Sequence, residues 1–210
     1  ISRDPFPNNQ IPVGLINQTG LNLLKLLPAP QTAALVNNYT YTPAATNKHD
    51  YFDVRVDSPL TQKDSVFFRV SRQNSSIYTA PSLPAPALGN QGGYTNTFPV
   101  WQIASGYTRV ITSNVVNEAH AGFTRLYISS VNDNYGKYLS NDLGIPGANV
   151  SGAPNTSGLT EIVLSGYPTL GDWSWTPATW ADNNWQINDS VTWVHHAHTF
   201  KFGGEILRRQ

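Results

Sequence analysis

Cysteine and methionine are both absent from this 210-residue chain. Without cysteine, the fold has no disulfide framework and no thiolate metal site. Charged residues are scarce too, at 12% of the chain, against roughly 25% in an average soluble domain. Acidic and basic side chains balance at 13 each. No basic surface is therefore available for phosphate groups, and we expect no nucleic-acid partner.

Long apolar runs are missing as well. No stretch approaches the ~20 apolar residues of a membrane-spanning helix, and no signal peptide is visible. This excludes only helical membrane proteins, because a barrel strand needs about 9–11 residues. Since the chain opens on Ile1 and stops directly after a strand-like run, we expect a piece truncated at both ends.

What the sequence does contain is aromatic and small polar side chains with many turn formers. Six Trp, ten Tyr and eight Phe accompany 16 Gly and 15 Pro. This composition predicts β structure with long loops. The first part, residues 1–48, is irregular and rich in Pro, with a short helix that Thr19 would cap and Pro28 would stop.

From about residue 49 the apolar residues recur with a period of two, which predicts β-strands. In the first run Phe52, Val54 and Val56 alternate with charged residues. Six such runs are predicted, at about 49–57, 65–72, 99–111, 115–128, 185–193 and 198–207.

The connections between these runs alternate between short and long. In a meander, every tight turn then falls at one end and every long loop at the other, as in outer-membrane barrels with short periplasmic turns. The longest connection, 129–182, is also unusual for a compact soluble domain. We therefore predict an all-β fold: an antiparallel up-and-down meander that is a partial, unclosed section of a large outer-membrane β-barrel with long extracellular loops. Periodicity alone leaves a half-buried sheet of a soluble protein open.

The two faces of the predicted strands differ in chemistry. One is aliphatic and aromatic, with Trp and Tyr near strand ends, as expected of a surface in contact with lipid. Arg125 and Asp189 fall on this face, so they must sit near an interface or a bulge, or the strand phase is wrong there. The other face carries isolated charges among Ser, Thr, Gln and Asn. Its predicted lumen-facing residues are Asp53, Arg55, Asp57, Arg69, Glu118, His120, Lys201 and Glu205.

A series of motifs, in order along nearly the whole chain, carries a family resemblance. The sequences RDPFPNNQIP (3–12), LLKLLPAP (23–30) and VNNYT (36–40) resemble the segment that leads into the barrel of Oar-like TonB-dependent receptors, large outer-membrane proteins of acidobacteria and myxobacteria. Four later pieces look like that family's first hairpin, a later strand, a loop motif and the next hairpin; they are YFDVRVD with KDSVFFR (51–57, 63–69), VNE with GFTR (116–118, 122–125), LGIPG (143–147), and DSVTW with HTFKFGGE (189–193, 198–205). The chain departs from the family at His195-His196-Ala197, where a charged or Gly-containing turn is usual.

The resemblance implies partners outside this piece. It implies an upstream carboxypeptidase-regulatory-like domain, a plug domain, and a segment through which the TonB complex is contacted. It also implies a barrel of about 22 strands, as in plugged transporters, of which residues 49–210 would be the first quarter. Expected partners are thus outer-membrane lipid, the plug, the TonB complex and a solute that the sequence does not identify. The expected location is the outer membrane of a Gram-negative cell.

Few residues suggest chemistry of their own. His195, His196 and His198 are the one metal-like cluster, and His196 and His198 would share a strand face. No further ligand has suitable spacing, so a polar turn is favoured, with neither metal nor cofactor. Asp53 and Asp57 are paired carboxylates, but a charge-balanced lumen suits them better. No nucleophile or phosphate-loop motif occurs, and we expect no enzyme.

A Trp-rich tip of the long connection is the predicted ligand contact. Trp173, Trp175 and Trp180 suit stacking against a sugar or another aromatic ligand, although packing within the loop would also explain them. The sequence thus predicts a TonB-dependent transporter that moves a bulky solute across the outer membrane. A soluble extracellular β-sandwich that binds glycans is the alternative.

Overall fold

The structure is a computed structural model that describes residues 4–210. Residues 1–3, which include Arg3 of the first motif and the start of the 1–48 segment, lie outside the described residues. The described chain contains two α-helices, α1 (Gln18–Leu24) and α2 (Leu139–Asp142), and 3-10 turns at Pro7–Asn9, Val13–Leu15 and Pro154–Thr156. None of its helices has the length and the apolar character needed to cross a membrane.

Six strands make up one sheet in the described residues. They are β1 (Thr46–Pro59), β2 (Asp64–Thr79), β3 (Tyr94–Thr112), β4 (Val115–Asn132), β5 (Ala178–His195) and β6 (His198–Arg209). Their order in the sheet is their order in the sequence, each strand is antiparallel to the next, and the sheet does not close. The predicted all-β, unclosed antiparallel meander is confirmed.

The strands extend further than the alternating pattern predicted. β2 runs to Thr79 rather than 72, and β5 begins at Ala178 rather than 185. The extra residues are largely polar, for example Gln73, Asn74 and Ser75 in β2. Backbone pairing does not require an apolar face, so the ladder continues where the sequence no longer alternates between apolar and polar.

Short and long connections alternate along the meander. The short ones are 60–63, 113–114 and 196–197; the long ones are 80–93 and 133–177. In the last turn His196 adopts a left-handed backbone, φ 52°, a conformation that His adopts more readily than most residues with a side chain. His195 ends β5 and His198 begins β6, and the two are directly paired.

The chain divides into two compact units. The sheet unit comprises residues 46–77, 96–129 and 178–210. The loop unit comprises the described residues up to 45 together with 78–95 and 130–177. The buried apolar side chains of the described residues all belong to the loop unit: Leu83, Ala87, Leu88, Leu159 and Leu170.

The start of α1 differs from the prediction. The side chain of Asn17, and not of Thr19, caps the helix by accepting a hydrogen bond from the Gly20 N–H at 3.0 Å. The Thr19 hydroxyl instead donates to the carbonyl oxygen of Gly144 at 3.0 Å. Asn is at least as good an N-cap as Thr, so both residues fit the sequence pattern. Thr19 is engaged by Gly144, which is distant in sequence, and Asn17 therefore provides the cap.

Candidate functional site

Charged side chains of β1 and β2 meet on one face of the sheet. Arg69 donates from Nε to Asp53 at 2.8 Å, and the Ser71 hydroxyl donates to the same carboxylate. Arg55 pairs with Asp57 two residues along β1, with Nη2 to Oδ1 at 2.7 Å. The structure thus brings together four of the predicted lumen-facing residues.

An aromatic contact links this cluster to β3 and β4. The guanidinium of Arg55 lies over the Phe67 ring, 4.2 Å from its centroid, and that ring is 6.0 Å from the His120 ring. Gly106 of β3 makes room for both rings, because a Cβ there would lie 2.2 Å from Phe67 Cε1 and 2.8 Å from His120 Nδ1. Phe67 and Gly106 were not among the predicted site residues. The sequence did contain one indication of this contact, because Phe67 is an aromatic residue at a position of β2 that alternates with the apolar ones.

The same face continues to β6. Lys201 Nζ lies 3.5 Å from Glu118 Oε2, and Gln186 donates to Glu205 at 2.7 Å. Side chains two residues apart share a strand face, so these contacts place all eight predicted residues on one face. We call it the polar face: Asp53, Arg55, Asp57, Arg69, Glu118, His120, Lys201 and Glu205.

The opposite face is apolar and uncovered by the rest of the sheet unit. Phe202 is 62% exposed and Ile206 73%. Neighbouring rings pack along it, with Trp193 5.4 Å from Phe200 and Phe123 4.2 Å from Trp185 between centroids. An uncovered apolar surface of this kind marks contact with lipid or with another protein. We call it the apolar face: Phe52, Phe68, Phe123, Trp185, Ile187, Trp193, Phe200, Phe202 and Ile206.

Two polar residues on the apolar face are paired within the sheet. Asn117 donates to Asp189 Oδ1 at 2.6 Å, and Arg125 Nη1 donates to Asn183 Oδ1 at 3.3 Å. The contact between Phe123 and Trp185 keeps the alternation in place on both strands. Arg125 and Asp189 therefore share the face of Phe123 and Trp185, and each charge is paired with an amide of the neighbouring strand.

The histidines at the last hairpin are arranged differently from the prediction. His196 occupies the turn, so the pair that faces across the hairpin is His195 with His198 rather than His196 with His198. The His195 ring lies 4.4 Å from the His196 ring and 5.2 Å from Trp193, centroid to centroid. In the part of the chain that the structure describes, no group of three or more His, Cys, Asp or Glu side chains has a metal-binding arrangement.

The three predicted loop tryptophans have different environments. Trp173 is half-buried and lies 5.1 Å from the Tyr94 ring, whereas Trp175 is 73% exposed. Trp180 was predicted in the loop but belongs to β5, because that strand begins at Ala178. Trp173 also lines an open cleft of about 390 Å³ with Asn149 and other amide and hydroxyl side chains of the loop unit.

A buried polar cluster in the loop unit was missed by sequence reasoning. Asp172 is only 5% exposed. Its Oδ2 accepts from the Leu159 N–H at 2.7 Å, and its Oδ1 accepts from Asn134 Nδ2 at 3.0 Å. Burial raises the pKa of the Asp172 carboxyl to about 6, although these hydrogen bonds oppose the rise. Single polar residues in a 45-residue connection have no periodicity that would reveal their burial.

Comparison with known proteins gives one match. The model of a family described as outer membrane beta barrel domain matches residues 1–210. No curated protein and no solved structure matches the chain.

Proposed function

This chain belongs to the outer membrane beta barrel domain family and is an outer-membrane protein, and on that premise we propose that it forms early strands of a TonB-dependent transporter for a bulky solute. The motifs that resemble Oar-like receptors, from residues 3–12 to 198–205, support this finer assignment. The chain has no enzymatic role in this proposal.

The observation that carries the proposal is the division of the sheet into two chemically different faces. The apolar face presents rings and aliphatic side chains to the acyl chains of the outer membrane. The polar face lines the lumen, and its ion pairs keep charges of both signs balanced there. A water-filled lumen tolerates such charges because they stay hydrated, whereas hydrocarbon would penalise them.

The open sheet supports a barrel that is larger than these strands. The edges at β1 and β6 would leave backbone N–H and C=O groups unpaired within a bilayer, which costs several kcal/mol per group. Further strands therefore complete the barrel. A large barrel of this class has a plugged lumen. We propose that a plug domain of the same protein contacts the polar face and that the TonB complex acts on that plug.

The loop unit would supply the first contact with the solute. Trp175 is exposed and free to stack on a sugar or an aromatic group. The cleft beside Trp173 offers amide and hydroxyl groups for hydrogen bonds. The soluble glycan-binding alternative has no observation of its own, because these features suit a capture loop on a transporter equally well.

Binding to TonB provides the test. The full-length protein that carries this chain, purified in detergent, is immobilised and exposed to the periplasmic domain of TonB from the same cell. We expect saturable binding that is lost when the segment upstream of the plug is deleted. Absence of binding by the intact, folded protein would overturn the transporter proposal and leave the outer-membrane assignment untouched.

A further inference from the structure

Two buried amide oxygens in the loop unit have no hydrogen-bond donor. Asn132 is 4% exposed and Asn134 is fully buried. In both residues Oδ1 has no partner among the residues that the structure describes. A buried acceptor without a donor is rare, because its lost hydration is not compensated. Such an oxygen is satisfied by a bound water molecule or by a cation beside it.

The negative charge next to these amides has no directly paired cation among the described residues either, although Lys137 acts on it from a greater distance. None of the ion pairs between the described residues includes Asp172. Its carboxylate accepts hydrogen bonds only from neutral donors, the Leu159 N–H and the Asn134 amide. Burial of a carboxylate is costly unless a positive group or further hydrogen bonds compensate its lost hydration.

Gly158 lies beside two of these oxygens. It has a left-handed backbone, φ +101°, and a Cβ built there would lie 2.1 Å from Asp172 Oδ2 and 3.6 Å from Asn132 Oδ1. Asn134 contacts the other oxygen of the same carboxylate through Nδ2. Asn134 Nδ2 also donates to the Pro86 carbonyl oxygen at 2.9 Å. A half-turn of the Asn134 amide would therefore place its unpaired Oδ1 beside two acceptor oxygens, an arrangement that requires a cation between them.

We propose that Asp172, Asn132 and Asn134 form a binding site for a hard divalent cation of the Ca²⁺ class. All three ligands are oxygens, one carboxylate and two amides, which is the donor set that Ca²⁺ accepts and that Zn²⁺ and Cu²⁺ do not favour. Mg²⁺ is less suitable because it keeps most of its water and demands a rigid octahedron. A single carboxylate gives low affinity, in the range of roughly 10⁻⁴–10⁻³ M that is typical of extracellular modules.

The bound ion would stabilise the loop unit. Asn132 ends β4, Asn134 follows in the turn after it, and Asp172 lies near the other end of the 133–177 connection. A cation held by all three ties the two ends of this connection together. Because the folded loop alone assembles the ligands, binding favours the ordered loop by mass action. The inference does not depend on what the protein transports.

Terbium luminescence tests the site directly. Tb³⁺ replaces Ca²⁺ at oxygen sites and is sensitised by a nearby indole, here Trp173, next to Asp172 in the sequence. The full-length protein in detergent, freed of lipopolysaccharide, is titrated with Tb³⁺ and then with Ca²⁺ or Mg²⁺. We expect sensitised emission that Ca²⁺ displaces at least tenfold more effectively than Mg²⁺.

Three variants separate this site from adventitious binding. Asp172→Asn removes the charge and should weaken Tb³⁺ binding at least tenfold. Asn132→Leu removes one oxygen at similar volume and should weaken it as well. Asp142→Asn is the matched control, since Asp142 is an exposed carboxylate in the same connection, and it should bind like the parent. The heat-modifiable gel shift of a folded barrel checks each variant; if Asp172→Asn does not fold, Asn132→Leu decides.

Two results would overturn the proposal. One is a parent protein whose emission Ca²⁺ does not displace. The other is unchanged binding by the folded Asn132→Leu and Asp172→Asn variants, which would show that the ion binds elsewhere and that water satisfies the amides.

Discussion

Phe67 lies over Gly106 on the polar face, where a Cβ at residue 106 would approach Phe67 Cε1 to 2.2 Å. Arg55 and His120 also pack against the ring of Phe67. Close packing of an aromatic ring against a strand glycine stabilises a sheet at a position that otherwise weakens it. Phe67 on β2 thus explains why β3 has a glycine at position 106.

Gly106→Ala should therefore destabilise the sheet. The added methyl forces the Phe67 ring from its position, at a cost of about 1–3 kcal/mol typical of overpacking. Gly122 is the matched control on the adjacent strand, because its nearest potential contact is 3.9 Å away. Gly122→Ala should be neutral or stabilising by roughly 0.5–1 kcal/mol. Urea unfolding of the full-length protein in lipid vesicles measures both, and equal effects would contradict the packing argument.

The adjacent glycines of β6 give a second comparison. A Cβ at Gly203 would lie 2.7 Å from the carbonyl oxygen of Asp189 on β5, whereas nothing lies within 4 Å of one at Gly204. Backbone atoms move less readily than a ring, so Gly203→Ala should separate β5 from β6 locally and cost about 1–3 kcal/mol. Gly204→Ala should leave the unfolding midpoint near the parent value. Hydrogen exchange at the Asp189 and Val191 amides, which face β6, would localise the effect, and protection that survives in Gly203→Ala would refute it.

Labelling of single cysteines tests the assignment of the faces. The chain contains no cysteine, so Phe68→Cys and Arg69→Cys introduce unique thiols at neighbouring positions on opposite faces, in a full-length protein without other cysteines. A nitroxide at residue 68 should be broadened by oxygen, which concentrates in lipid. A nitroxide at residue 69 should be broadened by a water-soluble nickel complex instead. The same response at both positions would show that the two faces lie in the same environment, which would contradict the assignment.

Truncation of two leucines of the loop unit should affect its stability differently. Leu88 is fully buried, whereas Leu35 is 97% exposed. Leu88→Ala leaves a cavity and should destabilise the loop unit by about 2–5 kcal/mol, while Leu35→Ala should have little effect. Limited proteolysis reports this, because the Leu88→Ala loops should be cut faster than those of the parent or of Leu35→Ala. Equal cleavage rates would indicate that Leu88 does not support the fold of the loops.

Local periodicity was sufficient to predict the sheet. Alternation over 51–57 and 185–193 gave the strands, their faces and the shared side of Asp53 and Arg69, because a strand side chain's direction follows from its position alone. It did not give the strand ends, since polar residues such as Asn74 pair through the backbone without alternating. Trp180 was misplaced for that reason.

The loop unit could not be derived in this way. Its contacts join residues far apart in sequence, such as Thr19 with Gly144 and Asn134 with Asp172. Neither a period nor a propensity indicates which of many Asn and Asp side chains becomes buried. The Trp residues could be proposed as ligand contacts from their residue type alone. The cluster at Asp172 could not, because only burial distinguishes it from the other polar residues of the loops.

The length of β3 determines how high the wall of the barrel rises. Its 19 residues, at about 3.3 Å each, extend roughly 60 Å along the strand. With a tilt of about 35–45°, the rise is still roughly 45 Å, while the hydrocarbon band of such barrels is about 25 Å tall. Close to half of this strand therefore stands clear of the acyl chains, at the level of the sugars and phosphates of the membrane surface. The barrel wall therefore reaches beyond the acyl chains into the aqueous phase.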